Sequence, residues 1–192
     1  MVLINYSDKT VNCKIVYYGP QECGKTSNLK YIYNQLGSNI KGKLFCLEEA
    51  DEKTAFFDYL LLDLGQIKGF NIKFSLYSTS GQEKLNAARS IILNGTDGVV
   101  FVADSTPDRI QENLSNFKNL EENLKSYEIS IDKIPLIFQY NKRDLENALP
   151  LEQLERDLNK NNYPSFEAVA AEGTGVFACL KAISSSILTS LQ

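Results

Sequence analysis

Short apolar runs alternate with longer amphipathic ones along this chain, the pattern of an α/β protein. Lys14-Ile15-Val16-Tyr17-Tyr18 predicts a buried strand ending at Gly19. Thr26 to Leu36 predicts a helix, with Leu29, Ile32, Tyr33 and Leu36 on one face. Residues 37–54 are polar, contain glycine and are rich in Lys and Glu, which suits a mobile loop. Residues 56–63 and 70–77 are apolar and β-prone, and the stretch Leu64 to Gly69 between them predicts a hairpin.

Gly98 to Asp104 and Pro135 to Asn141 are continuous apolar runs, hence central strands. Val169-Ala170-Ala171 ends a last, short strand, and Leu3, Ile4 and Tyr6 suggest an extra edge strand near the start. Residues 109–127 and 175–191 carry apolar positions at helical spacing. The expected fold is a mainly parallel twisted sheet with helices on both faces and one antiparallel hairpin. In such folds ligands sit at the carboxyl ends of the strands.

Length supports one domain spanning residues 1–192. A net charge of −4 predicts no long-range attraction to nucleic acid or anionic lipid. No apolar run approaches the ~18 residues of a spanning helix, and the start lacks a signal peptide's charged and apolar regions. A cytoplasmic protein is expected. The absence of histidine rules out Ser-His-Asp and Cys-His catalysis and any His-ligated metal. The four cysteines are widely spaced, with no C-x-x-C, so neither structural zinc nor a disulfide framework is expected. Cys23 stands apart by position, because nearby N–H donors and Lys25 would lower its pKa.

Three motifs carry the candidate chemistry. The first is Gly19-Pro20-Gln21-Glu22-Cys23-Gly24-Lys25-Thr26, a G-x-x-x-x-G-K-[ST] loop between a predicted strand and a predicted helix. Its glycines let successive N–H groups point inward, and the helix adds its positive N-terminus. Glu22, Cys23 and the adjoining Ser27 belong to the same cradle. Lys25 would reach the outer phosphates, and the Thr26 hydroxyl would ligate Mg²⁺.

The second motif is Asn141-Lys142-Arg143-Asp144, about 115 residues further on and directly after an apolar strand. Asp144 can accept from guanine N1–H and its exocyclic amine, a donor pair adenine lacks. Asn141 would tie loops together and touch the base, and the Lys142 stem would cover the base face. The third is Ser78-Thr79-Ser80-Gly81-Gln82-Glu83, at the end of a predicted strand. There Gly81 can offer an N–H to a terminal phosphate and Gln82 can orient an attacking water.

Together these motifs resemble the Ras-like small GTPases over about residues 12–190. The stretches INYSDKTVNCKIVYYGP, FFDYLLLDLG, IKGFNIKFSLY, FVADS, QYNKRDL and GVFACLKAI narrow the resemblance to the MglA family of bacterial polarity and gliding-motility GTPases. The resemblance implies a GTP/GDP switch recruited to a cell pole. It also implies a roadblock-fold regulator (MglB-like) and downstream polarity effectors. Carried over, Gly19, Gly24, Lys25 and Thr26 hold phosphates and Mg²⁺, and Thr54 meets the metal when a γ-phosphate is present. Gly81 and Gln82 form the second switch, and Asn141, Lys142 and Asp144 read the base. Ala170 offers its backbone N–H to the guanine carbonyl.

The chain departs from the family pattern at three places. The usual D-x-x-G aspartate of Ras-like proteins is Ser78, a loss that MglA-like sequences generally share, and Asp58 on the strand after the first switch could substitute by geometry for its Mg²⁺ carboxylate. Gln21 replaces a glycine and crowds the γ-phosphate. Lys53 replaces an arginine thought to act as an internal finger, keeping the charge but losing the planar fork. Arg89 is then the nearest arginine candidate, with a surface ion pair as its simpler role. The expectation is retained GTP binding with slow hydrolysis. The runner-up is a scaffold that stays GTP-bound and recruits polarity partners. A kinase or ATPase is disfavoured by the N-K-R-D motif.

Overall fold

The computed structural model describes residues 3–38, 40–48 and 54–190. A single eight-stranded sheet organises them, with five α-helices distributed over its two faces. The path through the sheet runs β3 (Lys41–Glu48), β4 (Thr54–Ile67), β5 (Phe70–Thr79), β2 (Thr10–Tyr18), β6 (Gly98–Asp104), β7 (Leu136–Asn141) and β8 (Ser165–Glu167). The strand β1 (Leu3–Asn5) lies antiparallel to the first residues of β2, on the flank that β6 takes over from Ile15 onward. The pairs β2–β5, β2–β6, β6–β7 and β7–β8 are parallel, whereas β3–β4 and β4–β5 are antiparallel.

Every residue of β6 and β7 is buried, which explains why their sequences are apolar throughout rather than alternating. On one face α1 (Lys25–Gln35) and α5 (Val176–Thr189) pack through Leu29, Ile32, Cys179, Ile183 and Ile187. On the other, α2 (Asn86–Leu93), α3 (Ile110–Lys125) and α4 (Leu151–Leu158) pack through Leu93, Leu120, Leu124 and Leu154. Gly98 opens β6 because α5 leaves no room there: a Cβ would lie 2.7 Å from the Ile187 Cδ1. Among the described residues no helix is long and apolar enough to cross a membrane.

Three expectations need correction. Much of the polar stretch 37–54 is the edge strand β3, paired to β4 through Leu44↔Leu60 and Phe45↔Tyr59. An edge strand needs few buried side chains, so its composition reads as loop. The hairpin turn is narrower than Leu64–Gly69: Lys68 and Gly69, both at positive φ, make a two-residue turn between paired Ile67 and Phe70. Gly65, at φ 72°, sits inside the strand where the register shifts between Asp63 and Gln66. The last strand ends at Glu167. Val169 instead bridges Thr174 in the loop that follows.

The strands β2, β5, β6 and β7 run in the same direction, so Gly19, Ser80, Ser105 and Lys142 all leave the sheet at one end. All three sequence motifs therefore converge on one rim.

Candidate functional site

The loop after β2 turns sharply. Glu22 and Gly24 both have positive φ, and Gly24 hands the chain into α1. A Cβ on Gly24 would lie 2.1 Å from Asn141 Nδ2, so glycine is required by close approach as well as by conformation. Lys25, only 6% exposed, folds back over the loop and donates from Nζ to the carbonyls of Gly19 (3.0 Å) and Pro20. Burial lowers its pKa, with Cys23 acting in the opposite sense. The ammonium is thus held above a ring of loop groups, on carbonyl partners that a phosphate can replace.

Cys23 is fully buried, with Sγ 3.6 Å from Lys25 Nζ. Burial raises its pKa and outweighs the lowering by Lys25. This overturns the expected activated thiol: the loop encloses Cys23, and desolvation penalises the thiolate.

Asp58 lies on β4 directly across from Ser78 on β5. Its carboxylate is fully buried and accepts at Oδ2 from the Thr26 hydroxyl (2.6 Å) and from the Ser78 hydroxyl. One strand pairing thus brings a carboxylate to the position next to Thr26 that the sequence motif itself leaves without one. Thr54 opens β4. Lys53 lies outside the described residues.

The loop after β5 rests on the phosphate loop. A Cβ on Gly81 would lie 2.1 Å from the Gln21 nitrogen and 2.3 Å from its Cα. Only glycine permits this backbone-on-backbone contact. Gln82 follows, its N–H donating to Ser80 Oγ at 3.3 Å. The Gln21 side chain reaches Glu22 Oε1 at 3.4 Å.

Arg89 is not a surface residue. It is 1% exposed, its guanidinium lies 4.3 Å from the centre of the Tyr18 ring, and Nη2 donates to Asn116 Oδ1 at 2.6 Å. Those partners on β2 and α3 set it in the seam beneath α2, which overturns its expected place on the surface. The arginine that touches the loop interior is Arg109, missed in the sequence. Its Nη2 donates to the Gln21 carbonyl at 2.5 Å, and its head pairs with Glu112 (2.7 Å) and Asp104 (3.8 Å). Nothing in the local pattern marks Arg109; it reaches the loop only because β6 and β2 are neighbours.

Asn141 joins three segments. Its Nδ2 donates to the Cys23 carbonyl (2.7 Å), and its Oδ1 accepts the Ala170 N–H (2.8 Å). The Ala170 donor is therefore engaged by Asn141 here. Lys142, at φ 65°, sends its ammonium to the buried Asp104 carboxylate at 2.6 Å. Arg143 braces the same turn, donating to the Leu149 carbonyl (2.6 Å) and to Glu167 (2.8 Å). Asp144 follows, exposed at the rim.

A glycine-lysine loop at a helix start, an Asn-Lys-Arg-Asp turn two strands along on one side and a Gly81 loop one strand along on the other are the features of a guanine-nucleotide-binding protein of the P-loop class. The model of the ADP-ribosylation factor family matches residues 60–191. Mutual gliding-motility protein MglA of Myxococcus xanthus (strain DK1622) is 50% identical over the whole of this chain and 98% of its own length. Human ADP-ribosylation factor-like protein 4A is 29% identical over 74% of this chain and 64% of its own. Ras-related protein RABG3c of Arabidopsis thaliana is 25% identical over 95% and 85%. The chain belongs to the MglA family of Ras-like small GTPases. It is accordingly a GTP-binding switch and a GTPase.

Proposed function

We propose that residues 1–192 work as one G domain that cycles between GTP and GDP, hydrolyses slowly, and passes its state to polarity partners. The observation that carries this is the convergence of Lys25, Asn141 and Gly81 on one loop. Gly19, Glu22, Cys23, Gly24, Lys25, Thr26 and Ser27 hold the phosphates. Lys25 exchanges loop carbonyls for phosphate oxygens. Asn141, Lys142, Asp144 and the Ala170 segment hold the base, and Gly81 with Gln82 lifts from Gln21 when a third phosphate enters.

The donors beside Thr26 fit Mg²⁺: two hydroxyls and one carboxylate are hard oxygen ligands, and this ion binds through few protein groups, phosphate oxygens and water. Thr26, with Thr54, would hold it, and Asp58 would orient its hydration from the position Ser78 leaves unfilled. The ion would neutralise phosphate charge. Asp58→Ala is then expected to release GDP roughly 10-fold faster in Mg²⁺, close to the wild-type rate in excess chelator. Mg²⁺-dependence equal to wild type in stopped-flow release would remove Asp58 from the role.

Hydrolysis relies on Gln82 and Lys25, with Lys53 in place of an arginine; Arg89, enclosed between β2 and α3, supports the second switch from beneath. The pattern of Gln21 and Lys53 supports slow turnover, so a roadblock-type regulator is the expected activator and a cell pole the expected place of action. The same two residues support a second reading, a scaffold that stays GTP-bound. Chromatography of the nucleotide co-purifying with the protein separates them. GDP is expected for the cycling switch, GTP for the scaffold, and a protein carrying neither would overturn both.

A further inference from the structure

Two uncharged side chains outside the signature motifs join the phosphate loop to the base reader. Asn28 lies in the first turn of α1, and Gln139 lies on β7, two residues before Asn141. Neither has exposed surface. Asn28 Nδ2 donates to Gln139 Oε1 at 2.8 Å, and Gln139 Nε2 donates back to Asn28 Oδ1 at 2.9 Å. The Asn28 amide also donates to the Gly24 carbonyl at 2.9 Å. Side chains two apart on a strand share a face, so Gln139 and Asn141 both face α1. Two rungs therefore run from β7 to the loop. Asn141 holds the Cys23 carbonyl, and Gln139 holds Gly24 through Asn28.

A closed pair of amides in a dry core is stiff. Each donor–acceptor edge is satisfied by the other, and opening the pair strands polar atoms on both sides. An apolar pair would fill the same space, but it would not fix the spacing of α1 against β7, because packing contacts lack the directionality of hydrogen bonds. That spacing is the distance between the phosphate half and the base half of one ligand.

We propose that Asn28 and Gln139 are positioning residues that lock the phosphate loop to the base reader, so that a guanine nucleotide spanning both halves meets one rigid site. The inference rests on the reading of residues 19–26 and 141–144 as the two halves of a nucleotide site. A ligand that engages both halves gains from the lock; one with a single phosphate gains less.

The test compares GDP with GMP in competition titrations against a fluorescent GDP, together with GDP release rates. Asn28→Ala and Gln139→Ala are each expected to weaken GDP binding ~10-fold, mainly through faster release, and to change GMP binding less than ~3-fold. The exchange pair Asn28→Gln with Gln139→Asn keeps the summed side-chain length, and is expected to restore GDP retention. Asn28→Leu with Gln139→Leu guards against misfolding: it is expected to melt cooperatively and still release GDP fast. Equal losses for GDP and GMP would mean a damaged base reader and overturn the lock. So would wild-type GDP retention in the folded leucine pair. Wild-type protein that binds neither nucleotide would instead sink the nucleotide-site reading on which the lock rests.

Discussion

Asp144→Ala is expected to weaken GTP binding by ~10²-fold or more and to leave ATP binding unchanged. The turn that carries Asp144 is fixed from outside the ligand. Lys142 is tied to Asp104, and Arg143 is tied to Leu149 and Glu167, so the carboxylate is presented by a braced backbone. Removing it leaves that backbone in place and takes away only the acceptors proposed for guanine N1–H and the exocyclic amine. Charge-assisted hydrogen bonds to such a pair are about twice as strong as neutral ones. Asp144→Asn makes the finer test. Its amide faces guanine's amine donor to donor, but matches a carbonyl at the same ring position, so preference is expected to move from guanosine toward xanthosine nucleotides. Competition titrations measure both. Unchanged GTP affinity in a folded Asp144→Ala protein would place the base reader elsewhere.

The second large effect is expected at Gln21. Gln21→Gly should speed single-turnover GTP hydrolysis by as much as ~10²-fold and leave GDP affinity nearly unchanged. The loop's shape at this point does not depend on the Gln21 side chain. Arg109 holds the carbonyl, and Gly81 packs on the nitrogen and Cα. A glycine there keeps both contacts, and so keeps the cradle for GDP. What it removes is a side chain on the backbone that Gly81 packs against, one residue before Gln82, which is proposed to orient the attacking water. Positioning dominates this chemistry, so a side chain that displaces the water or Gln82 by ~1 Å is costly. Rapid-quench kinetics decide the matter. An unchanged rate would move the limit to Lys53, the other departure on the hydrolytic side.

Much of the fold is legible in the sequence alone. Runs such as GVVFVAD predict strands because a strand covered on both faces has no polar side to show. The glycine-lysine loop and the Asn-Lys-Arg-Asp turn stand out in the sequence by residue type and spacing, and the structure brings them together, with Gly24 packed against Asn141. The misplacements share a cause. Lys41–Glu48 reads as loop because an edge strand takes its backbone partners from β4, far along the chain. Gly65 reads as turn because positive φ serves a bulge and a turn equally well.

The site shows the same division. Arg89 looks like a surface charge, since arginines are rarely buried, and only the approach of Tyr18 and Asn116 encloses it. Cys23 looks activated by Lys25, but the closed loop desolvates it and raises its pKa. The strand position of Asp58 suggests it as a substitute carboxylate, and the Asp58↔Ser78 pairing is what brings it beside Thr26.

The sequence by itself determined the class of ligand and most of the order of the elements, the edge strand β3 excepted, because both are written in local spacing and side-chain chemistry. The tertiary structure alone decided which side chains are dry, which carbonyl Arg109 holds, and that Asn28 meets Gln139. Those contacts join residues as many as 111 positions apart. Burial and direction belong to the packed sheet and its helices, and to no segment read alone.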